Sequence, residues 1–406
     1  MRRAILIALL LACYGLAGCG GGSKLVSGPV VGIQSGAAQA TAKLGFPTVA
    51  TKNTTRVDGA DPTADAAGVA LAVYPSAGPG THPTSVTIAP TDDWQAAIAA
   101  ASLMAPPIRA PILLSGPSVL PSATTGALAM LAPKGSGAAG GSQVIRIGDV
   151  PAPSGMRTVS IAGKDPYALA AAIDRFGSAA RGGRAGINVV IASAVDPASA
   201  MPAAGWAAES GEPVLFVSAT GVPEPTKQAL LAHPHAHLYV LGSSSVIPNT
   251  VIRQLRTYGS VKRIGNAHDP AENSVAFAEY RDPPCAFGQP CAHVPGSFGW
   301  AMRSPGHGYV LLNSHRPLDA AAAAALSSSG DYGPQLLIDD PATLPASVLG
   351  FFCNYATPGY TREGPTAAVY NHGWVIGDQN TISLAVQAQM DARLEVVPQN
   401  ASQSCG

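Results

Sequence analysis

GEPVLFVSATGVP, Gly211 to Pro223, decides the reading of this chain. A turn leads into the short apolar run Val214 to Val217, a Ser/Thr/Gly loop follows, and a proline opens the next segment. Four apolar residues bounded by turn formers read as a strand buried on both faces. The same phrase occurs as APILLSGPSVLP from Ala110 to Pro121 and as GPQLLIDDPATLP from Gly333 to Pro345. The chain is therefore built by repetition.

A second phrase repeats independently. Arg56-Val57-Asp58-Gly59-Ala60-Asp61-Pro62 corresponds to the run Val159 to Pro166 and to the run Arg263 to Pro270. Its Asp-Pro pairs begin at Asp61, Asp165 and Asp269, a constant step of 104 residues. That is an internal repeat of domain size.

The second unit is the clearest. Asp165-Pro166 suits a capped helix start over Tyr167 to Phe176, because aspartate caps and proline fits the first helical position. Ile187 to Ala192 reads as a strand. Asp196-Pro197 opens a helix to Ser210, interrupted at Pro202. The strand Val214 to Val217, a helix Pro225 to Ala232, a strand Leu238 to Gly242 and a helix from Pro248 to Tyr258 follow. Alternating apolar strands and helices predict an α/β fold with parallel sheets. In the first unit, the Pro/Gly-rich stretch Pro75 to Pro90 stands where the second has a strand. The third unit has a strand at Tyr309 to Leu312, then Ala368 to Tyr370, Val375 to Gly377, and a helix from Thr381 to Met390.

At 406 residues the chain exceeds one average core. Its 24 basic residues balance 24 acidic ones without a basic stripe, which argues against nucleic acid. Aromatics make up only 6% of the residues, too few for rings lined along a long sugar chain. Arg2 and Arg3 precede an apolar run, Ala4 to Ala12, too short to span a bilayer. Leu16-Ala17-Gly18-Cys19 then resembles a bacterial lipobox, so residues 1–18 are expected to be a signal peptide and Cys19 the lipidated residue. Residues 19–50 follow as a flexible linker. The expected location is the extracytoplasmic face of the cell membrane, with a lipid anchor. Export permits disulfides; Cys285 with Cys291, and Cys353 with Cys405, are the expected pairs. The repeats give modules at 51–155, 156–259 and 260–398, the last carrying the cysteine loop as an insertion, and 399–406 as a tail.

These phrases resemble the cell-wall-binding repeats of type 2 from surface proteins of Gram-positive bacteria. Ser160-Ile161-Ala162-Gly163-Lys164-Asp165-Pro166-Tyr167 is similar to the family's opening. Val190-Ile191-Ala192-Ser193 with Pro202-Ala203-Ala204 is similar to its middle, Pro111-Ile112-Leu113-Leu114 to its strand motif, and Tyr239-Val240-Leu241-Gly242 to its end. The resemblance covers residues 51–398. It implies three open-sheet α/β modules packed about a pseudo-threefold axis, acting as non-catalytic anchors on an anionic wall polymer. The chain departs from the family in having proline at 62, 166 and 270 where an arginine is usual.

Residues with chemistry are few. Gly135 to Gly140 spells G-x-G-x-x-G, but a helix precedes it and a strand follows, the reverse of a dinucleotide site. No cofactor is expected. His233, His235 and His237 read as an exposed turn, with no nearby carboxylate or cysteine to complete a metal set. No G-x-S-x-G elbow occurs, and the pairs Asp92-Asp93 and Asp339-Asp340 read as helix caps. In open α/β sheets ligands sit beyond the carboxyl ends of the strands, so the candidate ligand-binding residues are Ser115, Gly116, Ser218, Thr220 and Asp339. Helix N-termini there favour anionic groups, with Asp339 and Asp340 opposing them. The expected partner is a wall polymer or peptidoglycan-associated glycan; the alternative is a scaffold or regulator binding a protein such as a wall hydrolase.

Overall fold

The computed structural model describes residues 48–398, apart from 79, 285–295, 331, 357–358 and 361–367. Strands β1 (Thr48–Ala50) and β2 (Thr54–Val57) form an antiparallel pair. Asp61 then accepts from the Thr63 and Ala64 amides and caps α1 (Pro62–Val73). The first sheet uses β3 (Val86–Pro90), α2 (Trp94–Ala100), β4 (Ile112–Ser115), α3 (Ser122–Leu131), β5 (Val144–Ile147) and β6 (Thr158–Ile161).

Asp165 caps α4 (Pro166–Ala180) through the Ala168 amide. The second sheet runs through β7 (Asn188–Ser193), α5 (Pro197–Ala200), α6 (Pro202–Ser210), β8 (Val214–Val217), α7 (Glu224–Leu231), β9 (Ala236–Leu241), α8 (Asn249–Leu255) and β10 (Gly259–Ile264). Asp269 caps α9 (Pro270–Glu279) through the Ala271 amide. Then come β11 (Gly308–Asn313), α10 (Pro317–Ser327), β12 (Gln335–Ile338), α11 (Ala346–Phe351), β13 (Gly359–Tyr360), β14 (His372–Ile376), α12 (Leu384–Arg393) and β15 (Val397–Pro398).

The architecture is α/β with three open parallel sheets of one design. Their orders are β4-β3-β5-β6, β8-β7-β9-β10 and β12-β11-β14-β2, with β1 added outside β2. In each sheet the outermost parallel strand, β6, β10 or β2, is the one that leads into an Asp-Pro phrase. The third sheet thus takes its strand from the beginning of the chain: Thr54 pairs with Gly373, and Val57 with Ile376.

The first strand of each sheet (β3, β7, β11) is buried along its whole length, as are β8 and β12. The helices that follow those first strands meet in the interior. α10 is buried from Asp319 to Ser327, and it packs on both α1 and α6. Its alanine run allows that close approach. Where α6 crosses it, a Cβ on Gly205 would come within 2.7 Å of the Ser327 hydroxyl. Bulkier side chains would force the helices apart.

One expectation fails within the first unit. The Pro/Gly stretch expected to lack a strand contains β3, because Val86-Thr87-Ile88 is a β-branched run and its proline comes last, where no further ladder donor is needed. Ala368 to Tyr370 is not a strand, and the helix expected from Thr381 begins at Leu384, capped by Ser383. Cys19, Cys285, Cys291 and Cys405 lie outside the described residues; Cys353 is half-buried beyond the end of α11.

Candidate functional site at the carboxyl ends of the strands

Each edge strand ends in one of the loops singled out from the sequence. Ser115 closes β4 and is fully buried; its hydroxyl donates to the Gly116 carbonyl at 2.8 Å. Gly116 is open, since an added Cβ would touch only Thr91 Oγ1, at 3.9 Å. Ser218 follows β8 and organises its own turn. Its Oγ accepts from the Thr220 and Gly221 amides at 3.3 and 3.0 Å. Asp339 follows β12, where its Oδ1 accepts from the Asp340 amide. Asp340 in turn accepts from the Ala342 amide and the Thr343 hydroxyl, contacts that hold its carboxyl below the usual carboxylate range. These bonds make a tight turn rather than a helix cap, since α11 begins only at Ala346.

The three loops share one station on three different sheets. An amide just past the first strand donates to the carbonyl ending the edge strand in every case: Thr91 to Ser115 at 3.0 Å, Ala194 to Val217 at 3.0 Å, and Ser314 to Ile338 at 2.7 Å. Each loop runs into a helix whose N-cap is proline: Pro121, Pro223 and Pro345. None of these three caps accepts a side-chain hydrogen bond. Their first-turn amides are therefore without the acceptor that a Ser, Thr or Asp cap supplies. The partial positive charge at such ends favours anions.

At the switch points, between the first and third strands of each sheet, only one of the three helix starts carries a side-chain cap bond. There α2 is capped by Asp93, which accepts from the Ala96 amide at 2.8 Å. Asp196 precedes α5 and accepts from the Ser199 hydroxyl at 2.7 Å. The cavity beside Ser199 and Gly242 measures about 10 Å³, room for no more than one water. At the third switch point, Arg316 places Nη2 2.8 Å from Asp65 Oδ2 and Nε 2.7 Å from Asp319 Oδ2. Both carboxylates are fully buried. Burial raises the pKa of Asp65, and the neighbouring Asp319 carboxylate raises it further. Burial likewise raises Asp319, with Arg316 acting against it. Both carboxylates are thus held against the Arg316 guanidinium and away from solvent.

This cluster was not found from the sequence, because its members are spread from Asp65 to Asp319 and no local spacing links them. His233 also departs from expectation. It is 1% exposed; its Nε2 donates to Asp174 Oδ2 (2.8 Å) and its Nδ1 donates to the Gly186 carbonyl (2.7 Å). The turn therefore hides a buried ion pair, whereas His235 and His237 are exposed. Gly137–Ala139 in the glycine-rich segment forms a short 3-10 turn between α3 and β5. Among the described residues no group of three or more His, Cys, Asp or Glu is arranged to hold a metal, and no helix is long and apolar enough to cross a membrane.

Parallel sheets of this order, threefold repeated, define a modular α/β fold. Residues 160–252 match the family described as Cell wall binding domain 2 (CWB2). Cwp6 from Clostridium difficile has a similar structure, with a TM-score of 0.63 and 15% identity over 87% of this chain and 49% of that one. Cwp8 from Clostridium difficile matches with a TM-score of 0.61 and 14% identity over 88% of this chain and 53% of that one. The chain spans about half the length of each. A search of curated proteins returned no match.

Proposed function

We propose that the protein is a non-catalytic lipoprotein of the cell surface that holds an anionic cell-wall polymer at the loops after its edge strands. The observation that carries this reading is the pair of proline-started helices, α3 and α7, whose first turns lack a side-chain acceptor. They stand at the same place on two sheets, beside Gly116 in one case and exposed Thr220 in the other. Repetition suits a polymer, because two weak contacts on one strand of ligand add through effective concentration. The third loop carries Asp339 and Asp340 and repels the same ligand. The match of residues 160–252 to a cell-wall-binding family supports the wall as the location. Cys19 would tether the body to the membrane through residues 19–50.

Sedimentation with purified sacculi tests the reading, using the compact unit from Val31 to Gly406. Binding to intact sacculi, lost once anionic polymers are stripped and reduced by Thr220→Glu, is the expected result. Binding that survives stripping would overturn the anionic polymer, and binding to neither preparation would overturn the wall as ligand.

A further inference from the structure

At the opposite, amino end of the third sheet lies a cavity of about 300 Å³. Ala72 and Val73 at the end of α1, Leu326 and Ser329 at the end of α10, and His372 and Trp374 on β14 line it. We infer that this cavity, walled by the Trp374 ring, is a binding site for an uncharged sugar ring of a glycan. Its size matches the lower end of small-ligand sites, which are mostly apolar and aromatic with a few polar groups. Trp374 provides an aromatic wall, and His372 packs edge-on against it with centroids 4.9 Å apart at 67°. The two alternate with Gly373 along β14, so they share one face of the sheet. Ser329 brings a hydroxyl that donates to the Ala325 carbonyl at 2.7 Å and keeps acceptor capacity. No carboxylate, ammonium or guanidinium is among the described lining residues, so the site favours neither an anion nor a cation.

The rings continue outside the cavity. The His372 amide donates to the His307 carbonyl at 3.1 Å. His307 packs against Tyr332 with centroids 5.8 Å apart, and Trp300 stacks behind Tyr332 at 6.5 Å and 26°. Tyr332 is 43% exposed. Trp374 with His372, and Tyr332 with His307 and Trp300, thus form two ring groups, one in the cavity and one beside it. Tyr332 stands two residues beyond Gly330, which also borders the cavity. Two separated platforms, one recessed and one exposed, suit neighbouring units of a chain rather than a lone monosaccharide. The apolar face of a pyranose packs on an aromatic face for the same reason other apolar groups do. This assignment is independent of the anion-attracting loops, which lie at the other end of the strands.

Tryptophan fluorescence and calorimetry with maltotetraose, cellotetraose and chitotetraose as probes test the inference. At least one should bind saturably, with a dissociation constant on the order of 1 mM. Trp374→Ala should weaken it about tenfold, Tyr332→Ala several-fold. Ala72→Phe, which fills the cavity and leaves Trp374 in place, should abolish it, and covers the case in which Trp374→Ala does not fold. Added polyphosphate should not compete. Absence of saturable binding by all three probes, unchanged affinity in Ala72→Phe, or displacement by polyphosphate would overturn it.

Discussion

The guanidinium of Arg316 lies 2.8 Å from the carboxylate of Asp65, a residue 251 positions earlier in the chain. The contact fastens α1, from the first repeat, to the start of α10 in the third. Two buried carboxylates share this one cation. Arg316→Ala would leave both buried without a countercharge, and we expect a loss of about 3–5 kcal/mol in urea unfolding. A loss below about 1 kcal/mol would mean that the pair is kept for a reason other than holding the helices together.

The same cluster sets a pH dependence. Asp65 and Asp319 have folded-state pKa values above their unfolded ones, so the folded chain binds more protons than the unfolded chain. Stability therefore falls as pH rises from about 4, the ordinary carboxylate value, toward the raised values. Melting temperature measured across that interval should decline, and Asp65→Asn should flatten the decline. A profile in Asp65→Asn that keeps the full slope would assign the effect elsewhere.

Arg56 is fully buried within β2 and bonds Gln387 Oε1 at 2.9 Å, the Gly377 carbonyl at 2.6 Å and the Asp378 carbonyl at 3.0 Å. All three acceptors belong to the last repeat. Arg56→Ala orphans them, and we expect a cost of about 3 kcal/mol. Hydrogen exchange in β14 should accelerate with it if β2 holds that strand in place.

His233 presents the opposite charge type with the same sign of slope. Burial opposes its protonation, but the Asp174 carboxylate and the Gly186 carbonyl outweigh burial and raise its pKa. The stabilisation is complete below the unfolded value of about 6.5 and is lost as pH rises through the folded one. An NMR titration of the His233 ring should place its midpoint above that of an exposed histidine. His233→Ala should cost about 3–5 kcal/mol by stranding Asp174.

Asp339→Ser with Asp340→Ser removes the two charges from the third edge loop. Binding to intact sacculi should strengthen several-fold at low salt and less at high salt, where screening already hides the repulsion. Weaker or unchanged binding at low salt would count against the loops as anion sites.

Much of the skeleton was legible in local rules. Val214 to Val217 is a strand with the bounds its flanking prolines and glycines imply, and Asp61, Asp165 and Asp269 all cap helices as an Asp-Pro pair should. What escaped reading was pairing across long separations. Nothing around Thr54 says that it lies beside Gly373, and nothing around Arg316 points to Asp65. The Ser115 and Ser218 loops lie at strand ends, but the capping of the helices beside them depends on bonds that no local spacing specifies. The prolines and glycines around β3 mask it in the sequence, whereas the β-branched run Val86-Thr87-Ile88 among them forms it.

Because β2 completes the third sheet, the three repeats form a closed circuit with no natural first member. Lys52 and Asn53, between β1 and β2, meet Glu395 just after α12 at 2.5 and 3.3 Å. Such a ring resists fraying at its ends, because releasing β2 also uncovers the flank of β14. It also makes the order of the repeats in the gene a matter of history rather than mechanics. A chain cut open in the exposed 182–184 loop and joined through a linker from Pro398 to Thr48 could re-form every strand pairing described here.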